Sequence, residues 1–76
     1  MDREAVIAEF GARVRKERTD RGWSQEDLAG YADLTPVQIS RIERGVREVR
    51  LTTILKLATA LDVSTALLLD GIASER

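Results

Sequence analysis

The sequence runs to 76 residues with 12 Lys+Arg against 13 Asp+Glu, a formal net charge of −1, and neither histidine nor cysteine. That composition excludes a disulfide staple, most zinc and iron sites and most nucleophile–base pairs, so no enzyme, metal or cofactor is expected. One domain, residues 1–76, is expected from the length; Asp2, Arg3, Glu4, Glu9 and Arg13 leave no signal-peptide core, and no apolar run could span a bilayer, which together predict a cytoplasmic protein without membrane contact.

A first helix is predicted from about Asp2 to Arg21. Val6, Phe10 and Val14 recur at i, i+4 and i+8 as its inner stripe, with Ile7 beside them. Arg13, Arg15, Lys16, Arg18 and Arg21 could be a nucleic-acid patch. They are interleaved with Glu9, Glu17 and Asp20, which favours a solvated, salt-bridged face. Gly22 stops the helix and Trp23 is expected to plug the core. Tyr31 is expected to pack, the competing reading being a hydroxyl offered to a phosphate.

Residues 24–45 carry two short helices joined by a tight turn. Ser24 is a favoured N-cap with Asp27 three residues on, and Leu28, Ala29 and Ala32 form an apolar face. Asp33 and Leu34 break the run. Thr35 then caps a second helix, Pro36 suits its first position, and Gln38 completes a Thr-x-x-Gln capping box. Ile39 and Ile42 define its buried side and Gly45 its stop. Helical periodicity turns Val37, Ser40, Arg41 and Arg44 outward, with Gln38 on the flank. Plain solvation would explain that face, except that Val37 has no local reason to be there; a thymine methyl would supply one. Two such helices match the DNA-binding helix-turn-helix unit.

The loop Val46-Arg47-Glu48-Val49-Arg50 follows. A fourth helix is predicted from Thr52 or Thr53 to Leu61, with Ile54, Leu57, Ala58 and Leu61 inward. Ser64 caps a short fifth helix ending near Asp70-Gly71, and residues 72–76 are expected to fray. Charge is polarised along the chain. Residues 35–50 hold four arginines against two glutamates, whereas residues 1–34 hold six cations against eight anions.

From about Phe10 to Leu69 the sequence resembles the Cro/C1-type (XRE) helix-turn-helix regulators of prokaryotes and phages. The residues that carry the likeness are Arg18, Gly22, Ser24-Gln25, Leu28-Ala29, Ile39 to Gly45, Leu57-Ala58, Leu61 and Val63-Ser64. The resemblance implies an all-α fold, a compact five-helix bundle of the lambda-repressor-like type, with the motif at about 24–45. It implies a sequence-specific transcriptional regulator, a repressor or an activator touching RNA polymerase, that works at the nucleoid on double-stranded DNA. Thr35, Pro36, Val37, Gln38 and Arg41 would face base edges, and Gln25, Ser40, Arg44, Arg47 and Arg50 the phosphate backbone. Position 36 is often a polar base reader in the family; proline has no donor, which shifts discrimination to Gln38 and Arg41. Arg18 and Glu43 would form a structural ion pair between the first and third helices. A restriction–modification controller, a phage repressor and an antitoxin-type repressor are all open within the family.

Leu55, Ala66, Leu67, Leu68, Leu69 and Ile72 exceed what one face of two short helices can bury, and positions 66 and 67 are often polar in the family. A homodimer is expected, built on the region 52–72 through Leu55, Ala66, Leu67, Leu69 and Ile72. Its two recognition helices, about 34 Å apart, would read a palindrome. The alternative is an interaction module that keeps the helix-turn-helix scaffold without binding DNA, favoured by the acidic balance and Pro36.

Overall fold

The computed structural model describes residues 2–72. Among them the elements are α1 (Arg3–Asp20), α2 (Gln25–Ala32), α3 (Pro36–Arg44), α4 (Leu51–Leu61) and α5 (Thr65–Leu69), with no strand. Local chemistry sets most boundaries. Asp2 accepts from Ala5 N, Ser24 and Asp27 close one capping box, Thr35 and Gln38 close a second, and Ser64 accepts from Leu67 N. Gly22 and Gly45 end α1 and α3 in the left-handed region, where a side chain is costly, and Asp33 and Asp62 do the same for α2 and α4. Cations at and just after α1 meet carbonyls of the last two helices: Arg21 Nη2 donates to Leu61 O, the last residue of α4, at 2.6 Å and Arg13 Nη1 to Leu67 O of α5 at 3.2 Å.

One core joins the five helices. Phe10 and Val14 of α1, Leu28, Ala29 and Ala32 of α2, Ile39 and Ile42 of α3, and Leu57, Ala58 and Leu61 of α4 are buried together with Leu68 and Ile72. The close approach of α1 to α3 has a specific cause. Gly11 carries no side chain where the carbonyl oxygens of Ile42 and Glu43 come against α1, and Gly45 lies against the backbone of Ala8. The i, i+4 ion pairs expected along α1 are present as Arg13–Glu9, Lys16–Asp20 and Arg21–Glu17, but only Lys16–Asp20 is fully on the solvated face; Arg13 and Arg21 are half-buried against the last two helices.

Three expectations need correction. Helix α4 starts at Leu51, ahead of Thr52 and Thr53, because extended Arg50 takes the N-cap position with no side-chain bond and neither threonine caps. Ile72 belongs to the core, at 2% exposure, and is neither frayed nor free for an interface. Gly71, at φ 77, turns the chain back after α5, so that Ile72 N donates to Leu69 O. Leu68 is likewise buried, so the apolar excess at this end is smaller than the composition suggested. The rest of the expected frayed tail, residues 73–76, lies outside the described residues.

Candidate nucleic-acid interface

Helix α3 shows two chemically distinct faces. Ile39 and Ile42 are buried, while Val37 is 57% exposed and Thr35, Pro36, Gln38, Arg41 and Arg44 are exposed around it; Ser40 is half-buried at the edge. Pro36 occupies the first helical position and removes a donor that would be unsatisfied there in any case. Thr35 and Gln38 bind each other reciprocally: Gln38 N donates to Thr35 Oγ1 at 3.1 Å and Thr35 N donates to Gln38 Oε1 at 2.9 Å.

Beside this face runs an open cleft of about 240 Å³, formed where the loop 45–50 passes between α3 and α4. Gln38, Arg41, Arg47, Arg50 and Thr53 line it, so fold and sequence bring the expected base-reading and backbone-facing cations to one place. Glu48 also lines the cleft, and Arg3 Nη2 of α1 donates to its carboxylate at 3.0 Å. Arg44 lies on the same helix and is exposed.

The Arg18–Glu43 pair is present and nearly closed to solvent, with side chains 11% and 4% exposed. Arg18 Nε donates to Glu43 Oε2 at 2.6 Å and Nη2 to Oε1 at 3.0 Å, a bidentate geometry, while Nη1 donates to Trp23 O at 2.7 Å. The hydrogen bond to Glu43 holds the guanidinium charged beyond the ordinary arginine range. Gln25 joins this cluster, since its Nε2 donates to Glu43 Oε1 at 3.1 Å. Sequence reasoning missed that link, because 18 residues and a turn separate the partners.

Trp23 is half-buried at the edge of the core rather than plugging its centre, with Arg21 stacked 5.7 Å from its ring. Tyr31 packs, as expected, without being buried. Its ring packs on Trp23 at 4.6 Å, yet the residue is 62% exposed. The residues expected at an interface divide as well: Leu55, Ala66, Leu67 and Leu69 are exposed, Ile72 is not, and Leu51, which the sequence reading left out, is 72% exposed one turn before Leu55. No helix among the described residues is long and apolar enough to cross a membrane.

Comparison with known proteins decides the family. A helix-turn-helix family model matches residues 14–68, which span all of the site and most of the core. This chain belongs to that family, of the XRE type. It is a family of transcriptional regulators and not of enzymes. The control protein C.BamHI of Bacillus amyloliquefaciens is 47% identical over 62 residues, covering 80% of this chain and 76% of that protein. The SPbeta prophage-derived uncharacterized HTH-type transcriptional regulator YonR of Bacillus subtilis is 40% identical over 62 residues, covering 82% of this chain but only 57% of its own length. In three dimensions the chain is similar to the restriction-modification controller protein C.AhdI of Aeromonas hydrophila. The TM-score is 0.79 at 47% identity, covering 82% of this chain and 94% of that one.

Proposed function

We propose that the protein is a homodimeric regulator of transcription that lays α3 in the major groove of a palindromic operator. The observation that carries the reading is the convergence of Gln38, Arg41, Arg47 and Arg50 on one cleft at the outer face of a helix whose other face is core. Thr35, Pro36, Val37, Gln38 and Arg41 approach base edges, with Pro36 and Val37 limited to van der Waals contact and Arg41 suited to guanine. Gln25, Ser40, Arg44, Arg47 and Arg50 approach phosphates and fix the register without reading sequence. The acidic isoelectric point is not an obstacle to this reading, because residues 35–50 hold four arginines against two glutamates, a local excess of positive charge.

The dimer forms through Leu51, Leu55, Ala66, Leu67 and Leu69, exposed apolar side chains on the last two helices. A two-fold axis there sets two copies of α3 about one helical turn apart, or about 34 Å. Likeness to C.BamHI and C.AhdI, both named as control or controller proteins, supports a role in controlling a restriction–modification system. Occlusion of a promoter and contact with RNA polymerase from an adjacent site are two outcomes of where the operator lies.

Selection of random duplex DNA by the purified protein tests the reading. A palindrome with half-sites one turn apart is expected. Arg41→Ala should then weaken binding by about 1–3 kcal/mol and relax preference at one guanine per half-site. No enrichment by a folded protein would favour the interaction-module alternative, for which the acidic balance and Pro36 speak.

A further inference from the structure

Gln38 projects from the outer face of α3, yet half of its amide is already engaged. Its Oε1 accepts from the backbone N–H of Thr35 at 2.9 Å while its own N–H donates to Thr35 Oγ1. Chemistry fixes the orientation of that amide. A backbone N–H can be met only by the oxygen, so Oε1 is turned back toward the helix start and Nε2 is the end left over. The Nε2 group makes no hydrogen bond among the described residues, and Gln38 lines the cleft with Arg41. The box is reinforced from the sequence side, because Thr35 is a good cap and Pro36 presets the first turn.

A free glutamine reads adenine with both ends of its amide: the oxygen accepts from N6–H and the nitrogen donates to N7. Gln38 in its capping box has only the donor end to offer. Guanine presents two acceptors, N7 and O6, and no donor on its major-groove edge. Adenine sets a donor beside N7, cytosine offers only a donor, and thymine offers a single acceptor, O4, beside its methyl group. We propose that the Thr35–Gln38 capping box makes Gln38 a donor-only base reader, which favours guanine, with two acceptors, over thymine, with one, and discriminates against adenine and cytosine. The inference rests on the reading of α3 as the helix that enters the groove, and it names what one position of each half-site should be. Helix capping and base selection thus use the two ends of one amide.

The test is operator selection by the wild type, Gln38→Glu and Gln38→Met, each first shown to unfold cooperatively on heating. Glutamate at this position keeps an acceptor for Thr35 N but has no proton to give at neutral pH, and methionine has neither. The added charge of Gln38→Glu weakens all sequences alike, so the readout is preference among bases and not affinity. The wild type is expected to enrich guanine at one position per half-site that becomes degenerate with Gln38→Met and turns toward cytosine or adenine with Gln38→Glu, whose second carboxylate oxygen can only accept, while the position read by Arg41 is unchanged. Replacing that guanine by 7-deazaguanine should weaken wild-type binding roughly 5- to 20-fold and leave Gln38→Glu nearly unaffected. A Gln38-dependent position that proves to be adenine, cytosine or thymine overturns the proposal and leaves DNA reading standing. So does an operator in which no position depends on Gln38. If the folded wild type selects no sequence at all, both readings fall together.

Discussion

Gly11 and Gly30 are both helical glycines, and their surroundings give opposite forecasts. A Cβ on Gly11 would overlap the carbonyl oxygen of Ile42 and stand 2.9 Å from that of Glu43, whereas one on Gly30 would meet nothing within 4 Å. Gly11→Ala must push α1 off α3, against backbone that cannot turn aside, and should destabilise the fold by about 1–3 kcal/mol. Gly30→Ala, inside α2, should stabilise it by about 0.5–1 kcal/mol through helix propensity. Urea midpoints of the two variants would separate them; equal midpoints would refute the packing account. Arg18 and Glu43 give a second residue-scale forecast. Arg18→Met leaves a carboxylate nearly sealed from water with only Gln25 to meet it, and should cost about 3 kcal/mol. Because the Arg18 pKa is raised, the contribution is present below the unfolded value and is lost only as pH climbs through the folded one. The stability gap between wild type and Arg18→Met should therefore stay flat from neutral pH into the lysine range; a gap that closes there would contradict the assignment.

At the scale of elements, the last two helices separate the proposed interface from a core. Leu68 and Ile72 are buried while Leu67 and Leu69, on either side of Leu68, are exposed, so the charge introduced by Leu67→Asp falls outside the buried core. That variant should sediment as a monomer with a thermal midpoint close to the parent's, and should lose operator affinity for lack of a partner. A dimer that survives the change would relocate the interface. The same segment shows what was legible in the sequence. Ser24 with Asp27, Thr35 with Pro36 and Gln38, and Gly45 are signals complete within four residues, and α2 and α3 start and stop where they direct. The outer face of α3 was legible for the same reason, since periodicity alone decides it. The burial of Ile72 depends on a turn at Gly71 that brings it back onto α1 and α4, and the Gln25–Glu43 bond depends on how α2 crosses α3. Neither is encoded in any short window. The early start of α4 was missed because arginine is no capping residue, and rules of capping look for the threonines that follow.

For the whole molecule the governing fact is a net charge of −1 with a local positive excess, four arginines against two glutamates, on residues 35–50. Non-specific attraction to DNA is then weak and its salt dependence reports the few arginines that meet phosphates. Arg44→Ala should weaken binding to all sequences alike and flatten the slope of log affinity against log salt by about one per site contacted. A loss confined to one base position would instead make Arg44 a base reader. The division of α3 into a face that is core and a face that is not has a consequence beyond binding. Ile39, Ile42 and Glu43 are tied to α1 and α2, while Val37 and Arg41 are exposed. With α3 reading bases as proposed, exchanging those two outward side chains would readdress the molecule to another DNA sequence with its folding energy left nearly intact, so new targets could be acquired without passing through an unfolded intermediate.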